Sequence, residues 1–284
     1  MKITFVGVGA IGLPITLQIQ RAGHEVTGVD VSESVIANAT SRGIQTVTEI
    51  AAAPAADVVV VMVATPDQLA GLVARVAGPL SGQLWLIMST VGPQSVRDQG
   101  EALQRAGARV VDAPVTGGVS RARSGELVIF AAGAPGDVAD ATPVLEAMGT
   151  VRVTGDRLGD GQSIKVVNQH LCSVHIVAAA EALSLARSLG LDPAAVLELI
   201  ETGAAGSWML SDRGPRMVAG TDVDVTSAID IFVKDSGLVM SAGASCGAQL
   251  PLLATAHDRF RLAAQAGLGL RDDSRVIETW NSLV

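Results

Sequence analysis

The sequence predicts an α/β chain in two parts, a doubly wound sheet followed by an all-α domain, joined by one long helix. Three observations carry that prediction. Short apolar runs alternate with helical patterns from Lys2 to about Thr154, the signature of βα units. Beyond Thr154 only helical patterns remain. Between the two regions, apolar residues recur at Ile164, Val167, Leu171, Val174, Ala178, Ala182, Leu185 and Leu189, the three-and-four spacing of a helix with one buried face. That helix, from about Gly159 to Gly190, spans on the order of 40 Å. The expected domains are therefore 1–160 and 161–284, the second beginning with the long interdomain helix.

Taken in order, Lys2-Ile-Thr-Phe-Val reads as a buried strand, followed by Gly7-Val-Gly9-Ala10-Ile11-Gly12 and a helical run from Leu13 to Arg21. Glu25 to Asp30 forms the second strand. A lone Gly-x-Gly-x-x-Gly says little, but between a strand and a helix, with an acidic residue closing the next strand, it points to a Rossmann-type dinucleotide site. Gly7 permits the tight turn, Gly9 the approach of a pyrophosphate, and Gly12 close packing of helix on strand. The phosphates would rest on amides at the positive end of the helix. Asp30 follows Gly12 by 18 residues, where a carboxylate holds the ribose hydroxyls. Val31 and Ser32 come next, with no arginine to receive a 2′-phosphate, so NAD is expected over NADP. The alternative for Asp30 is an ordinary strand-end turn residue.

Asp57 to Val63 is an uninterrupted apolar strand of the kind parallel sheets bury on both faces. Leu84 to Met88 is the next, ending in Ser89-Thr90. Ligands lie beyond the carboxyl ends of such strands, which places Met62, Val63 and Thr90 beside the cofactor. Arg109 to Ala113 leads into Pro114-Val-Thr116-Gly117-Gly118, where a hydroxyl and consecutive amides could form a concavity for a carboxylate; the alternative is a plain turn before a helix at Val119. Leu127–Ala131 and Val151–Thr154 complete the sheet, with a helix from Pro135 to Met148 between them. After the long helix, Asp192-Pro193 caps a helix to about Thr202. Others are expected from Ser207, over Ile231–Ser245, over Pro251–Gly267, and over Ser274–Ser282.

The 284 residues carry a net charge of −8, which argues against nucleic acid and anionic membranes as partners. No run of about 18 uncharged apolar residues suggests a membrane span. The start of the chain runs straight into a strand without a signal-peptide pattern, and two cysteines, Cys172 and Cys246, suggest neither a disulfide framework nor a metal site. A cytoplasmic location is expected. Of 20 basic residues only Lys2, Lys165 and Lys234 are lysines. Arginine holds its proton, whereas lysine can be tuned to release one, so the two internal lysines are candidates for proton work unless they merely survived a compositional bias.

A nicotinamide enzyme needs an acid or base beside the carbon exchanging hydride. The chain has no tyrosine, and its two cysteines and four histidines provide no zinc-ligand spacing. His24, His170, His175 and His257 lack an acidic neighbour at motif spacing. Lys165 remains, with Asn168 one turn on, on the same helix face, to bond the substrate oxygen.

Gly7-x-Gly9-x-x-Gly12, Asp112-Ala-Pro-Val-Thr-Gly-Gly118, Gly161-x-x-x-Lys165-x-x-Asn168 and Lys234-Asp235 resemble, in order, the four signatures of the β-hydroxyacid dehydrogenases. That family includes 3-hydroxyisobutyrate dehydrogenase, tartronate semialdehyde reductase and, more distantly, 6-phosphogluconate dehydrogenase. The resemblance covers essentially the whole chain. It implies Lys165 as general acid/base, Asn168 as its substrate-orienting partner, and Thr116, Gly117 and Gly118 around the substrate carboxylate. It also implies that Lys234 closes over cofactor and substrate, with Asp235 placing it. Val174 to Glu181, Gly206-Ser-Trp-Met209 and Ser227 to Asp235 resemble the L-threonate dehydrogenase branch, whose members oxidise four-carbon sugar acids at C2 with NAD. Ser207 is then expected at the substrate hydroxyls. Departures are Thr116 in place of Ser, Ser236 in place of Leu, and Ala64-Thr65 in place of Leu-Pro. The expected partners are a small hydroxy acid and further copies of the chain, as a homodimer or homotetramer. Competing readings are 3-hydroxyisobutyrate or tartronate semialdehyde chemistry, imine reduction, and an NAD-binding regulatory protein; the last two typically lack the lysine.

Overall fold

Valine runs with no polar interruption can be buried only inside a sheet covered on both sides, and β-branched side chains favour the pleated backbone. The computed structural model, which describes residues 1–76 and 78–280, shows this directly. The chain runs β1 (Lys2–Val6), α1 (Gly12–Arg21), β2 (Glu25–Val29), α2 (Glu33–Ser41), β3 (Gln45–Val47), β4 (Val58–Val61), α3 (Pro66–Arg75), β5 (Leu84–Ile87), α4 (Pro93–Arg105) and β6 (Arg109–Asp112). Then come β7 (Val115–Thr116), α5 (Gly118–Ser124), β8 (Leu127–Ala132), α6 (Pro135–Glu146) and β9 (Gly149–Gly155). The sheet order is β3-β2-β1-β4-β5-β6-β8-β7, with β9 on β8. Strands β1 to β6 pair in parallel, whereas β8 runs antiparallel to β6 and β7. In β4, Val58 and Val60 join the core on one face and Val59 and Val61 that on the other; in β5, Leu84 and Leu86 face one core and Trp85 and Ile87 the other. This is the doubly wound sheet expected from the apolar runs.

The helical part comprises α7 (Asp160–Ser188), α8 (Pro193–Ile200), α9 (Trp208–Val218), α10 (Ile229–Cys246) and α11 (Pro251–Ala263). Asp192 caps α8 by accepting from the Ala194 N–H, with Pro193 at the first helical position. The chain divides into two compact units, Met1–Lys165 and Val166–Val284, so the first turn of α7 belongs with the sheet.

Two expectations need correction. The helix expected to Gly267 ends as α-helix at Ala263 and passes into a wider turn, Ala264–Leu268, where Gly267 adopts φ +84°. The expected Ser274–Ser282 helix is a tighter 3₁₀ segment, Asp273–Trp280; positions 281 and 282 lie outside the described residues.

The larger correction concerns α7. The apolar stripe expected to be buried is largely exposed, with Val167 at 64%, Leu185 at 57% and Leu189 at 67%. The buried face carries Gln162, Lys165, Gln169, Ser173, Ile176, Val177, Ala180, Leu183 and Ser184 instead. Periodicity fixes that a helix has an apolar face, not which cover that face receives. By length and mean hydropathy α7 is also the one described helix that could cross a bilayer, a test that the core helices of globular proteins pass too.

Candidate active site

The glycine-rich turn owes its shape to close approaches. Gly7 has φ +92°, and a Cβ there would overlap the Met62 carbonyl at the end of β4; a Cβ on Gly12 would overlap the Gly7 carbonyl. Glycine is therefore obligatory at both places. Gly9 faces open space, with no atom within 4 Å of its Cβ position, which leaves its backbone accessible to a phosphate. Ala10 and Ile11 complete the turn into α1. Asp30 stands beside it: one carboxylate oxygen accepts from the Val8 N–H at 3.1 Å and the other from the Ser32 N–H at 3.0 Å. The acidic residue and the turn are thus one hydrogen-bonded assembly, with Val31 exposed next to it. Met62 and Val63, at the carboxyl end of β4, are half-buried, as is Thr90 beyond β5. The open backbone at Gly9 and the adjacent carboxylate fit a dinucleotide.

Thr116 ends β7, and Gly117 and Gly118 follow with φ of +130° and +65°. Two consecutive left-handed residues turn the chain sharply into α5, which begins at Gly118, and no atom lies within 4 Å of a Cβ on Gly118. The open space over Gly118 at such a turn suits a carboxylate.

Lys165 lies on the second turn of α7 and is only 6% exposed. Asn168 follows one helical turn later. Its Nδ2 donates to Gln169 Oε1 at 2.9 Å and approaches Cys172 Sγ at 3.3 Å, which fixes the amide plane. Gln169 Nε2 donates to Asp235 Oδ2 at 2.6 Å, and Asp235 Oδ1 pairs with Lys234 Nζ at 2.8 Å. The second unit therefore joins Asn168, Gln169, Asp235 and Lys234 in one chain of polar contacts. Gln169 went unrecognised in the sequence because an amide beside Asn168 forms no motif of its own; its buried position on the Lys165 side of α7 is what marks it.

Ser207 has a structural duty, capping α9 by accepting from the Leu210 N–H at 3.0 Å. Its hydroxyl hydrogen remains to be donated. Ser236, the departure from the family pattern, is fully buried; its Oγ donates to the Phe232 carbonyl and lies 2.8 Å from His257 Nδ1. The histidine on α11 thus explains the hydroxyl on α10. Among the described residues no group of three His, Cys, Asp or Glu side chains is placed to hold a metal.

Residues 2–159 match the family model described as the NAD-binding domain of 6-phosphogluconate dehydrogenase, and residues 159–280 the one described as NAD-binding of NADP-dependent 3-hydroxyisobutyrate dehydrogenase. The chain is 36% identical to L-threonate dehydrogenase of Cupriavidus necator, over 98% of this chain and 95% of that protein. It is 32% identical to 3-hydroxyisobutyrate dehydrogenase of Pseudomonas aeruginosa, over 93% and 92% respectively. A crystal structure of 3-hydroxyisobutyrate dehydrogenase from Salmonella typhimurium superposes with a TM-score of 0.90 at 31% identity, covering 98% of this chain and 99% of that one.

Proposed function

The chain belongs to the β-hydroxyacid dehydrogenase family and is an NAD-dependent oxidoreductase, and on that premise we propose that it oxidises a four-carbon sugar acid, L-threonate, at C2. The observation that carries the catalytic assignment is the buried Lys165 on α7, one turn before an amide whose plane is fixed by its neighbours. Bound NAD supplies the hydride acceptor. The residues of the chain do the rest. Lys165 takes the hydroxyl proton as C2 is oxidised and returns it in the reverse direction. Asn168 orients the reacting oxygen. Thr116 and the amides of Gly117 and Gly118 hold the substrate carboxylate, and the Ser207 hydroxyl donates to a distal hydroxyl. Lys234, steadied by Asp235, neutralises the anionic substrate, a local positive charge that a chain of net charge −8 must supply itself.

Asp30 supports NAD over NADP: it accepts from two backbone amides, and its carboxylate repels a 2′-phosphate. Gly7, Gly9, Ala10, Ile11 and Gly12 carry the pyrophosphate, while Val31, Met62, Val63 and Thr90 edge the remainder of the cofactor. Residues 1–160 form the NAD-binding domain, and 161–284 serve substrate and assembly. The exposed stripe Val167, Leu171, Leu185 and Leu189 on α7 supports a homodimer or homotetramer, because apolar residues at helical spacing call for cover. Two free cysteines and no disulfide among the described residues support a reducing, cytoplasmic setting.

A second reading, 3-hydroxyisobutyrate as substrate, is favoured by the Pseudomonas relative and the Salmonella structure. A screen of L-threonate, D-threonate, 3-hydroxyisobutyrate, glycerate and 6-phosphogluconate with NAD separates the two. L-Threonate is expected to give the highest kcat/KM; higher efficiency with 3-hydroxyisobutyrate overturns the substrate assignment.

A further inference from the structure

At the carboxyl ends of β5 and β6, two side chains with no exposed surface, Asp112 and Gln162, make a closed set of hydrogen bonds that no catalytic step uses. Asp112 Oδ2 accepts from the backbone N–H groups of Gly159 at 3.0 Å and Gln162 at 2.9 Å. Its Oδ1 accepts from Gln162 Nε2 at 3.1 Å. That same Nε2 donates to the Ser89 carbonyl at 3.0 Å, and Gln162 Oε1 accepts from the Val91 and Gly92 N–H groups at 3.1 and 3.0 Å. Every hydrogen-bonding group of the Gln162 amide is thereby matched to a complementary partner. Gly161 lets this turn lie against the sheet, since a Cβ there would press on the Phe130 and Asp112 carbonyls.

From this geometry we propose that Asp112 and Gln162 are positioning residues that clamp the first turn of α7 to β5 and β6 and so fix the place of Lys165, three residues beyond Gln162. The carboxylate acts as an N-cap delivered from another element: it satisfies first-turn amides that have no partner within the helix and lies at the positive end of the helix dipole. The glutamine carries the restraint to the loop after β5. A buried carboxylate is a costly device when apolar packing could serve, which argues for a demand on geometry. Burial raises the Asp112 carboxyl to about 6, against the pull of the Gln162 and Gly159 donors. Compared with an unfolded carboxyl, its ionised form therefore costs stability at neutral pH, a cost relieved only as pH falls through about 6 towards the ordinary value of 3.8. Protonation would set an O–H against N–H donors and loosen the clamp.

The charged groups on neighbouring elements are otherwise engaged or distant in sequence. Asp160 pairs with Arg157, and Arg109 at the far end of β6 pairs with Asp137 and Asp140 of α6. Arg97 and Asp98 of α4 are bound to Gln94, Arg97 lying over Gly159. Glu146 closes α6, and His170 and His175 follow Lys165 on α7.

The inference rests on the acid/base reading of Lys165, and a chain with only three lysines allows the two to be tested apart. Protein labelled with ε-¹³C-lysine gives three lysine signals, with that of Lys165 identified by its loss in Lys165→Met. The Lys165 signal is expected to move from its wild-type position in both Asp112→Asn and Gln162→Leu. Both variants should bind NAD with wild-type affinity and lose about 100-fold in kcat with KM nearly unchanged, the scale of a misplacement of about 1 Å. A Lys165 signal at its wild-type position in both variants overturns the clamp; should neither variant fold, hydrogen exchange in the wild type decides, since Gly159 and Gln162 amides that exchange as fast as an uncapped helix end overturn it too. If the signal behaves as expected but Lys165→Met turns over normally, the clamp stands and the acid/base assignment falls.

Discussion

Asp30 ties the glycine-rich turn to the end of β2 through its carboxylate, and the proposed function gives the same side chain the choice of cofactor by charge. Removing it as Asp30→Ala should lower kcat/KM with NAD by about 10- to 100-fold, the equivalent of a charged hydrogen bond of about 1.5–3 kcal/mol. The same change should narrow the preference over NADP, which parallel kinetics with both cofactors would show; an unaltered ratio would remove the ribose assignment. Residues of this kind are legible in a sequence because their backbone demands are severe. Only glycine fits at positions 7 and 12, so spacing announces them. Lys165 stood out for a different reason, as one of three lysines in an arginine-rich chain without tyrosine. Gln162 and Gln169 gave no such signal, since their work depends on partners 70 and 66 residues away.

At the scale of the element, α7 shows where periodicity stops. The helix and its ends were readable, but the phase was not, because the face with the cleaner apolar repeat is the exposed one and the covered face includes Lys165, Gln169 and Ser173. Buried polar groups dilute the hydrophobic signal on the very side that packs. The exposed stripe then becomes informative about assembly. Leu185→Glu, far along α7 from Lys165, is expected to shift the protein to a smaller species in size-exclusion chromatography with multi-angle scattering, and an unchanged mass would take this stripe out of the interface. The Ser236 and His257 pair teaches a related lesson: a hydroxyl in an apolar position looked like an isolated departure until its partner on α11 was seen. Likewise, β8 reads as one more apolar strand, and nothing local told that it runs antiparallel to β6.

For the molecule as a whole, each unit has its own core and its own means of cohesion. The sheet unit relies on apolar layers on both faces, and the helical unit adds a buried ionic cluster to its core. There Arg213 makes a forked contact with Asp273 at 3.1 and 2.9 Å, and Arg216 bonds Asp272 at 3.0 Å, with Asp212 shared between the arginines. Deleting one partner leaves a buried charge unmatched, so Arg213→Ala should destabilise the helical unit by about 3–5 kcal/mol, visible as an earlier urea transition. A transition within about 0.5 kcal/mol of wild type would show the cluster to be dispensable. The fold class and the order of motifs were available from the chain alone, since both depend on local pattern. The polar networks that hold α7 were not. The central claim of the proposed function is the acid/base role of Lys165, and the measurement that tests it most directly is NADH formation from L-threonate by wild type and Lys165→Met, with NAD binding followed in parallel. Turnover at least about 100-fold lower in the variant, with NAD affinity unchanged, is the expected result; turnover near the wild-type rate would contradict it.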